Sequence, residues 1–298
     1  MTDTPLPLRH FLLALAVVAV WGTNFVVIKV ALDHLPPLLL ATLRFALVLI
    51  PMAFFVKRPK VSWANLAAYG VLIGAGQFGL LFVAMTGHIS PGLASLVVQT
   101  QVFFTIGMAM KISGEKVKPF QILALLLSVA GIVLIAAHGG GAATPLGVVL
   151  ILGAAASWAG GNIVARQAGQ VNMLAYVVWA SLFSIPPLFL MSLWLEGWPA
   201  MVEGVRRADA LTWAAVAWQA VGNTMFGYAA WGWLLARHPA ATVTPMALLV
   251  PVFGMGASAI LLGESLPLWK LSAAVLVLAG LAVNMLWPKV RTRFMAPA

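Results

Sequence analysis

"LVVQTQVFFTIGMAMKISGE" (residues 96–115) and "LLVPVFGMGASAILLGE" (residues 248–264) are two passages of one chain that read alike. With Gly114-Glu115 laid on Gly263-Glu264, an offset of 149 (263 − 114), Phe104 falls on Phe253 and Gly107 on Gly256. The same offset carries Ala130-Gly131 onto Ala279-Gly280. Earlier in each half a tryptophan precedes a basic residue by eight positions, as Trp21 and Lys29 and again as Trp158 and Arg166. The chain therefore reads as a duplication, with a first unit at 1–137 and a second at 138–298.

Composition says what the unit is made of. Hydrophobic residues are 62% of the 298 and charged residues 8%, too little polar surface for a soluble domain of this size. In a bilayer every backbone polar group must be paired within the protein, which leaves helices or a closed barrel. Long continuous apolar runs, not ten-residue alternating segments, select helices. A span needs roughly 17–25 apolar residues. Windows of that length fall near 10–32, 36–56, 66–87, 91–110, 119–137, 145–165, 173–195, 210–235, 239–262 and 267–287. That is ten transmembrane helices, five per unit. The first lacks a small-residue cleavage pattern after it and is expected to be a retained span, not a signal peptide. Connections are short, and prolines such as Pro91 and Pro239 fall where helices start and a missing N–H costs nothing.

Charge sets the orientation. Arg9, Lys57, Arg58, Lys60, Lys111, Lys116, Lys118, Arg166, Arg237, Lys289, Arg291 and Arg293 all fall on one side of the ten-span layout. By the positive-inside rule both termini are expected in the cytoplasm, and the net charge of +10 reads as this bias, not as a nucleic-acid footprint. Because five is odd, the second unit enters the membrane the opposite way up. Inverted repeats of this kind are the architecture of alternating-access transporters.

The duplicated five-helix unit, the early "WGTNF" stretch at residues 21–25 and the Gly-Glu pairs after the fourth and ninth spans resemble EamA-type exporters of the drug/metabolite transporter superfamily. Within it the chain is most similar to YddG-type exporters of aromatic amino acids. The resemblance implies ten helices around a central cavity, opened and closed by the span pairs 3–4 and 8–9.

Polar groups are costly in lipid unless they face a cavity or another helix, so they outline the interior. Trp21 and Asn24 share a helix face, as do Trp158 and Asn162 at the equivalent place in the second unit. Gln77, Gln99 and Gln101 add amides from spans 3 and 4, and Gln219 and Asn223 lie four apart on span 8. Among them fall the aromatics Phe78, Phe82, Tyr228 and Trp231. All of these but Gln219 are the expected substrate contacts. Gly114 and Gly263 read as left-handed helix caps, with Glu115 and Glu264 at the positive end of the next helix; the other reading of the two glutamates is a gate. Pro91, Pro239 and Pro251 mark places where a gate can bend. Lys29 either snorkels to the interface or meets substrate. Arg44 either holds helix 1 through its backbone carbonyls or Asp33, or meets a substrate carboxylate.

Absences bear on the chemistry. All seven acids lie in tails, loops or helix ends, so no carboxylate is expected at midplane to titrate or to balance a cation. The histidines at 10, 34, 88, 138 and 238 are scattered, there is no cysteine, and no metal site or cofactor is expected. No enzymatic motif is present. The expectation is an inner-membrane exporter of amino acids and related small metabolites, neutral or zwitterionic and largely aromatic. It works by alternating access in the lipid bilayer and, since one chain holds both repeats, as a monomer. A carrier of anionic or phosphorylated metabolites, motivated by Lys29 and Arg44, is the alternative within transport. A non-transporting membrane scaffold or lipid-handling partner is the alternative outside it.

Overall fold

The computed structural model describes residues 6–113, 118–138, 141–238 and 240–294, and among them every regular element is helical. In chain order these are α1 (Leu8–Leu32), α2 (Pro37–Met52), α3 (Trp63–Met85), α4 (Pro91–Ile112), α5 (Pro119–His138), α6 (Pro145–Gln167) and α7 (Met173–Leu195). There follow the short α8 (Trp198–Arg207), α9 (210–237), α10 (Thr244–Leu262) and α11 (Leu268–Phe294). Eight of them are long and apolar enough to cross a membrane. The two other expected spans are the apolar helix α2, of 16 residues, and α9, which is interrupted at its middle. At about 1.5 Å per residue α2 is only about 24 Å long. It tolerates that length because its first half, Leu38 to Phe45, is almost wholly covered by protein, against α7 above all.

Helix contacts come in matched pairs. α5 packs along α11, and α2 along α7; α1 against α10 is answered by α6 against α4, and α3 against α7 by α9 against α2. One close crossing joins α1, α10 and α4. A Cβ on Gly22 would lie 2.5 Å from the Val250 carbonyl oxygen, and one on Gly254 would lie 2.4 Å from Ser95 Oγ. Only the absence of side chains lets these three backbones meet.

Two helices are irregular in a way their sequences did not announce. In α3, Leu72–Gly79 is π-helical, and in α9, Gln219–Phe226 is as well. At an offset of 148 (226 − 78) Gly74, Phe78 and Gly79 correspond to Gly222, Phe226 and Gly227. Short 3₁₀ stretches interrupt α4 at Val98–Thr100 and open α10 at Thr244–Leu249. A wide turn adds a residue to the helix circumference and displaces the side chains beyond it. Gln219 and Asn223, expected to share a face, are thereby separated: Gln219 is fully buried in packing and Asn223 reaches the interior space.

Helix starts show how backbone polarity is settled. Four use a local side chain: Ser62 Oγ accepts from Asn65 N (3.2 Å), Thr144 Oγ1 from Gly147 N (3.0 Å), Asn172 Oδ1 from Ala175 N (3.1 Å) and Asp209 Oδ1 from Thr212 N (2.8 Å). The bonds from Thr212 hold the Asp209 carboxyl below its ordinary range, so this cap persists at mild acidity and is lost only as pH falls through the lowered value. α2 and α4 instead begin on Pro37 and Pro91, and a carboxylate from elsewhere in the chain serves them. Glu196, after α7, accepts from the N–H groups of Leu38 (2.6 Å) and Leu39 (3.2 Å) and from Ser192 Oγ (2.5 Å). Glu264, after α10, accepts from Gly92 N (3.1 Å), Ser90 Oγ (2.5 Å) and Lys270 Nζ (2.9 Å).

Gly263 does end α10 in the left-handed conformation, φ +66°. Glu264, however, serves the start of α4 and not that of the next helix. Gly114, Glu115 and Pro239 lie outside the described residues. Because Lys270 is 1% exposed, Glu264→Ala strands a buried cation and is expected to cost about 3 kcal/mol or more in thermal unfolding of the purified protein. Adding Lys270→Met is expected to recover part of that loss; full additivity of the two changes would mean that the pair is uncoupled.

Candidate functional site

Between the helices lies a cavity of about 540 Å³. Its wall draws polar and aromatic positions from both halves, among them Trp21, Asn24, Tyr69, Gln77, Phe78, Gln99 and Gln101 of the first and Trp158, Asn162, Asn223, Tyr228 and Trp231 of the second. It runs from the middle of the bundle, near Ile28 and Leu81, toward Ala165, Met173, Leu235, Thr244 and Met285 at the end that carries the basic loops. At the other end lie the Glu264 cluster and a short antiparallel bridge between Ile89 and Ala143. No charged side chain is among the described residues that line it.

The aromatics are held in place, not left loose. Trp21 Nε1 donates to the Asn223 carbonyl at 3.2 Å, and its ring centroid lies 5.2 Å from that of Trp231 and 6.0 Å from that of Tyr228. This contact joins α1 to the π segment of α9. Across the cavity, Asn162 Nδ2 donates to Gln101 Oε1 (2.9 Å) and Thr105 Oγ1 (3.3 Å), fixing one amide pair. Two acceptors are left over: Asn24 Oδ1 and Gln77 Oε1 are buried without a hydrogen-bond partner on the protein. A buried unmatched acceptor costs about 1–3 kcal/mol, a cost that falls if either amide turns toward the cavity and meets an N–H group there.

Eleven of the twelve expected contact residues are brought to this cavity. Phe82 is the exception: it is fully buried behind Phe78, ring centroids 5.7 Å apart, because it lies one turn further along α3 and toward the core. Lys29 is also away from it, paired with Asp33 at 2.7 Å on the exposed side of α1. Arg44 meets neither Asp33 nor a helix-1 carbonyl; it sits behind the wall, against the face of Phe78 at 3.6 Å and on Thr224 Oγ1 at 3.1 Å. Pro91 and Pro251 begin helical segments near the α1–α4–α10 crossing. Sequence reasoning missed Tyr69, Thr105 and Met173. Thr105 lies four residues after Gln101 on one face, a signal that was present; Tyr69 and Met173 look like ordinary apolar positions.

A bundle of apolar helices enclosing a polar and aromatic space, reached from one end, is the construction of a membrane carrier for small molecules. The chain belongs to the EamA-like transporter family, whose profile matches it twice, over residues 8–137 and 145–286. It is 43% identical over 285 residues to a probable amino-acid metabolite efflux pump of Salmonella typhimurium, covering 94% of this chain and 95% of that one. The protein of the same description from Escherichia coli is 41% identical over 91% of this chain and 93% of its own length. A protein of known crystal structure superposes with a TM-score of 0.61 over 95% of this chain and 98% of that one. At 19% identity it establishes a common fold.

Because the chain has no cysteine, single introduced thiols report access directly. Thr105→Cys is expected to react with a membrane-impermeant maleimide supplied at the basic end, and Ile89→Cys, at a position 3% exposed, to remain unlabelled from either side. Labelling of both from the Glu264 end would contradict a cavity closed there.

Proposed function

We propose that the protein is an exporter of amino acids and related small metabolites in the bacterial inner membrane, favouring neutral, zwitterionic molecules with an aromatic or other apolar side group. The observation that carries this is the cavity itself: amides and ring faces together, with no carboxylate and no cation among the described residues of its wall. A zwitterion needs donors and acceptors for its head and apolar area for its side chain, and about 540 Å³ suits a molecule of that size. Trp21, Trp158, Tyr228 and Trp231 offer the faces. Asn24 and Gln77, whose amide oxygens have no partner on the protein, turn to an ammonium in this reading, and Gln99, Gln101, Asn162 and Asn223 complete the polar contacts. The descriptions of the Salmonella and Escherichia coli relatives point to the same class.

Transport in this reading is alternating access by two inverted five-helix repeats, with both termini cytoplasmic and one chain sufficient. The paired helix contacts and the matching π segments of α3 and α9 support the repeat. The cavity then faces the cytoplasm, and the Glu264–Lys270–Ser90 cluster closes the external end. Glu115, Pro239, Pro91 and Pro251 mark the elements that move when the two ends exchange. No acid is among the described residues of the cavity, and passive export, down the substrate's own gradient, is the coupling we propose. An anion carrier is less well supported, because Lys29 is paired with Asp33 and faces away.

Counterflow in liposomes tests the reading: vesicles preloaded with unlabelled phenylalanine are expected to take up labelled phenylalanine saturably without an ion gradient. Uptake only under a proton gradient would overturn passive transport, and none under either condition would overturn the substrate class. Trp158→Ala is expected to lower uptake roughly tenfold, the loss of one buried ring contact, while the folded protein still reaches the membrane.

A further inference from the structure

Arg44 is 1% exposed inside an apolar bundle, and no carboxylate of the described residues pairs with it. Its Nη2 donates to Thr224 Oγ1, while its Nε and Nη1 have no acceptor on the protein. The guanidinium carbon lies 3.6 Å from the ring centroid of Phe78, and that ring is also cavity wall. The phenols of Tyr69 and Tyr228, both cavity residues, are within its electrostatic reach. A buried cation without its own counter-ion is expensive in such a setting, and a ring face offsets only part of the cost.

We infer that Arg44 is the carboxylate-selecting residue of the cavity, its charge acting on the bound molecule through the Phe78 wall. The inference rests on the amino-acid reading and deepens it. A carboxylate against the cavity face of Phe78, opposite the guanidinium, lies about one ring thickness beyond that ring's centroid, roughly 7 Å from the charge. At an effective dielectric of about 20 that attraction corresponds to a preference of tenfold or more for a carboxylate over its neutral amide. Asn24 and Gln77 line the same cavity, and their side-chain oxygens Oδ1 and Oε1 are buried without a partner on the protein; rotation of either amide toward the cavity gives the ammonium an acceptor, so the two ends of a zwitterion meet opposite partners. The same charge repels lipophilic cations, which find no acid in the cavity to compensate. Placement behind the wall, not on it, lets the site attract the carboxylate without forming the direct ion pair that would hold the substrate and slow its release.

The experiment is competition of unlabelled phenylalanine and phenylalaninamide against labelled phenylalanine uptake, in liposomes carrying the wild type, Arg44→Gln, Arg44→Lys or Phe78→Ala. The wild type is expected to prefer phenylalanine over its amide at least tenfold, Arg44→Gln to reduce that preference to about twofold, and Arg44→Lys to retain most of it. Phe78→Ala, by opening the wall, is expected to raise the preference severalfold even where absolute uptake falls. If Arg44→Gln lowers uptake of phenylalanine but leaves the preference intact, Arg44 is only a brace for the π segment and the inference is overturned. Should Arg44→Gln fail to fold, an unchanged or lower preference in Phe78→Ala overturns it equally. Wild-type protein that moves neither compound overturns the amino-acid reading and this inference with it.

Discussion

The structure depends on pairing backbone and side-chain polarity where water is scarce. Each helix leaves its first N–H groups without internal partners, and α2 and α4 begin on prolines whose preceding residues supply no capping side chain. Glu196 and Glu264 fill that role from the far ends of α7 and α10. Each carboxylate sits against the positive end of a helix dipole, where a negative charge is stabilised. With few acids in the chain the allocation is telling. Asp33 balances Lys29, Glu203 balances Arg207, Asp209 caps α9, and the other two described acids join helices distant in sequence. None is left for the cavity.

That allocation explains the electrostatic character of the interior. The wall carries amides and aromatic rings, which bind by hydrogen bonds and by area, and it carries no ionised group. Lys270 is buried but neutralised by Glu264, so its field does not reach far. Arg44 is the exception, buried beside the wall with a ring and a hydroxyl as its described partners. In the proposed function, a wall without described charges and a cation set behind it suit a zwitterion better than a cation, which would need the signs reversed.

Much of this was legible in the sequence, because in an apolar chain each polar residue inside a span must answer for itself. The helix positions followed from hydropathy, with ends displaced by a few residues, most at α11, which continues to Phe294, past its expected end at 287, and at the start of α10, where a 3₁₀ turn precedes the regular helix. Asn24, Gln77, Gln99, Gln101, Asn162 and Asn223 stood out for the same reason, and the structure brings them to one space. Phe82 could not be separated from Phe78 by composition: both are phenylalanines on one helix, four residues apart. The π segment between Leu72 and Gly79 decides which ring faces the cavity, and local propensity carries no sign of it. Tyr69 was hidden for the converse reason, since a tyrosine near a helix end reads as an interfacial anchor.

The π segments also bear on how such a bundle can change shape. A wide turn gives up well-aligned backbone bonds and persists where neighbouring packing holds it. Both segments here are held from the side: Ser184 Oγ donates to the Gly70 carbonyl just ahead of one, and the Thr224 hydroxyl within the other donates to the Gln219 carbonyl and accepts from Arg44. Arg44 therefore touches both, Phe78 in the first and Thr224 in the second. Any motion that slides α3 relative to α9 must carry that guanidinium along or break its two contacts. The residue that sets the charge beside the cavity thus also joins the two π segments, and under the proposed function recognition and rearrangement would meet in a single side chain.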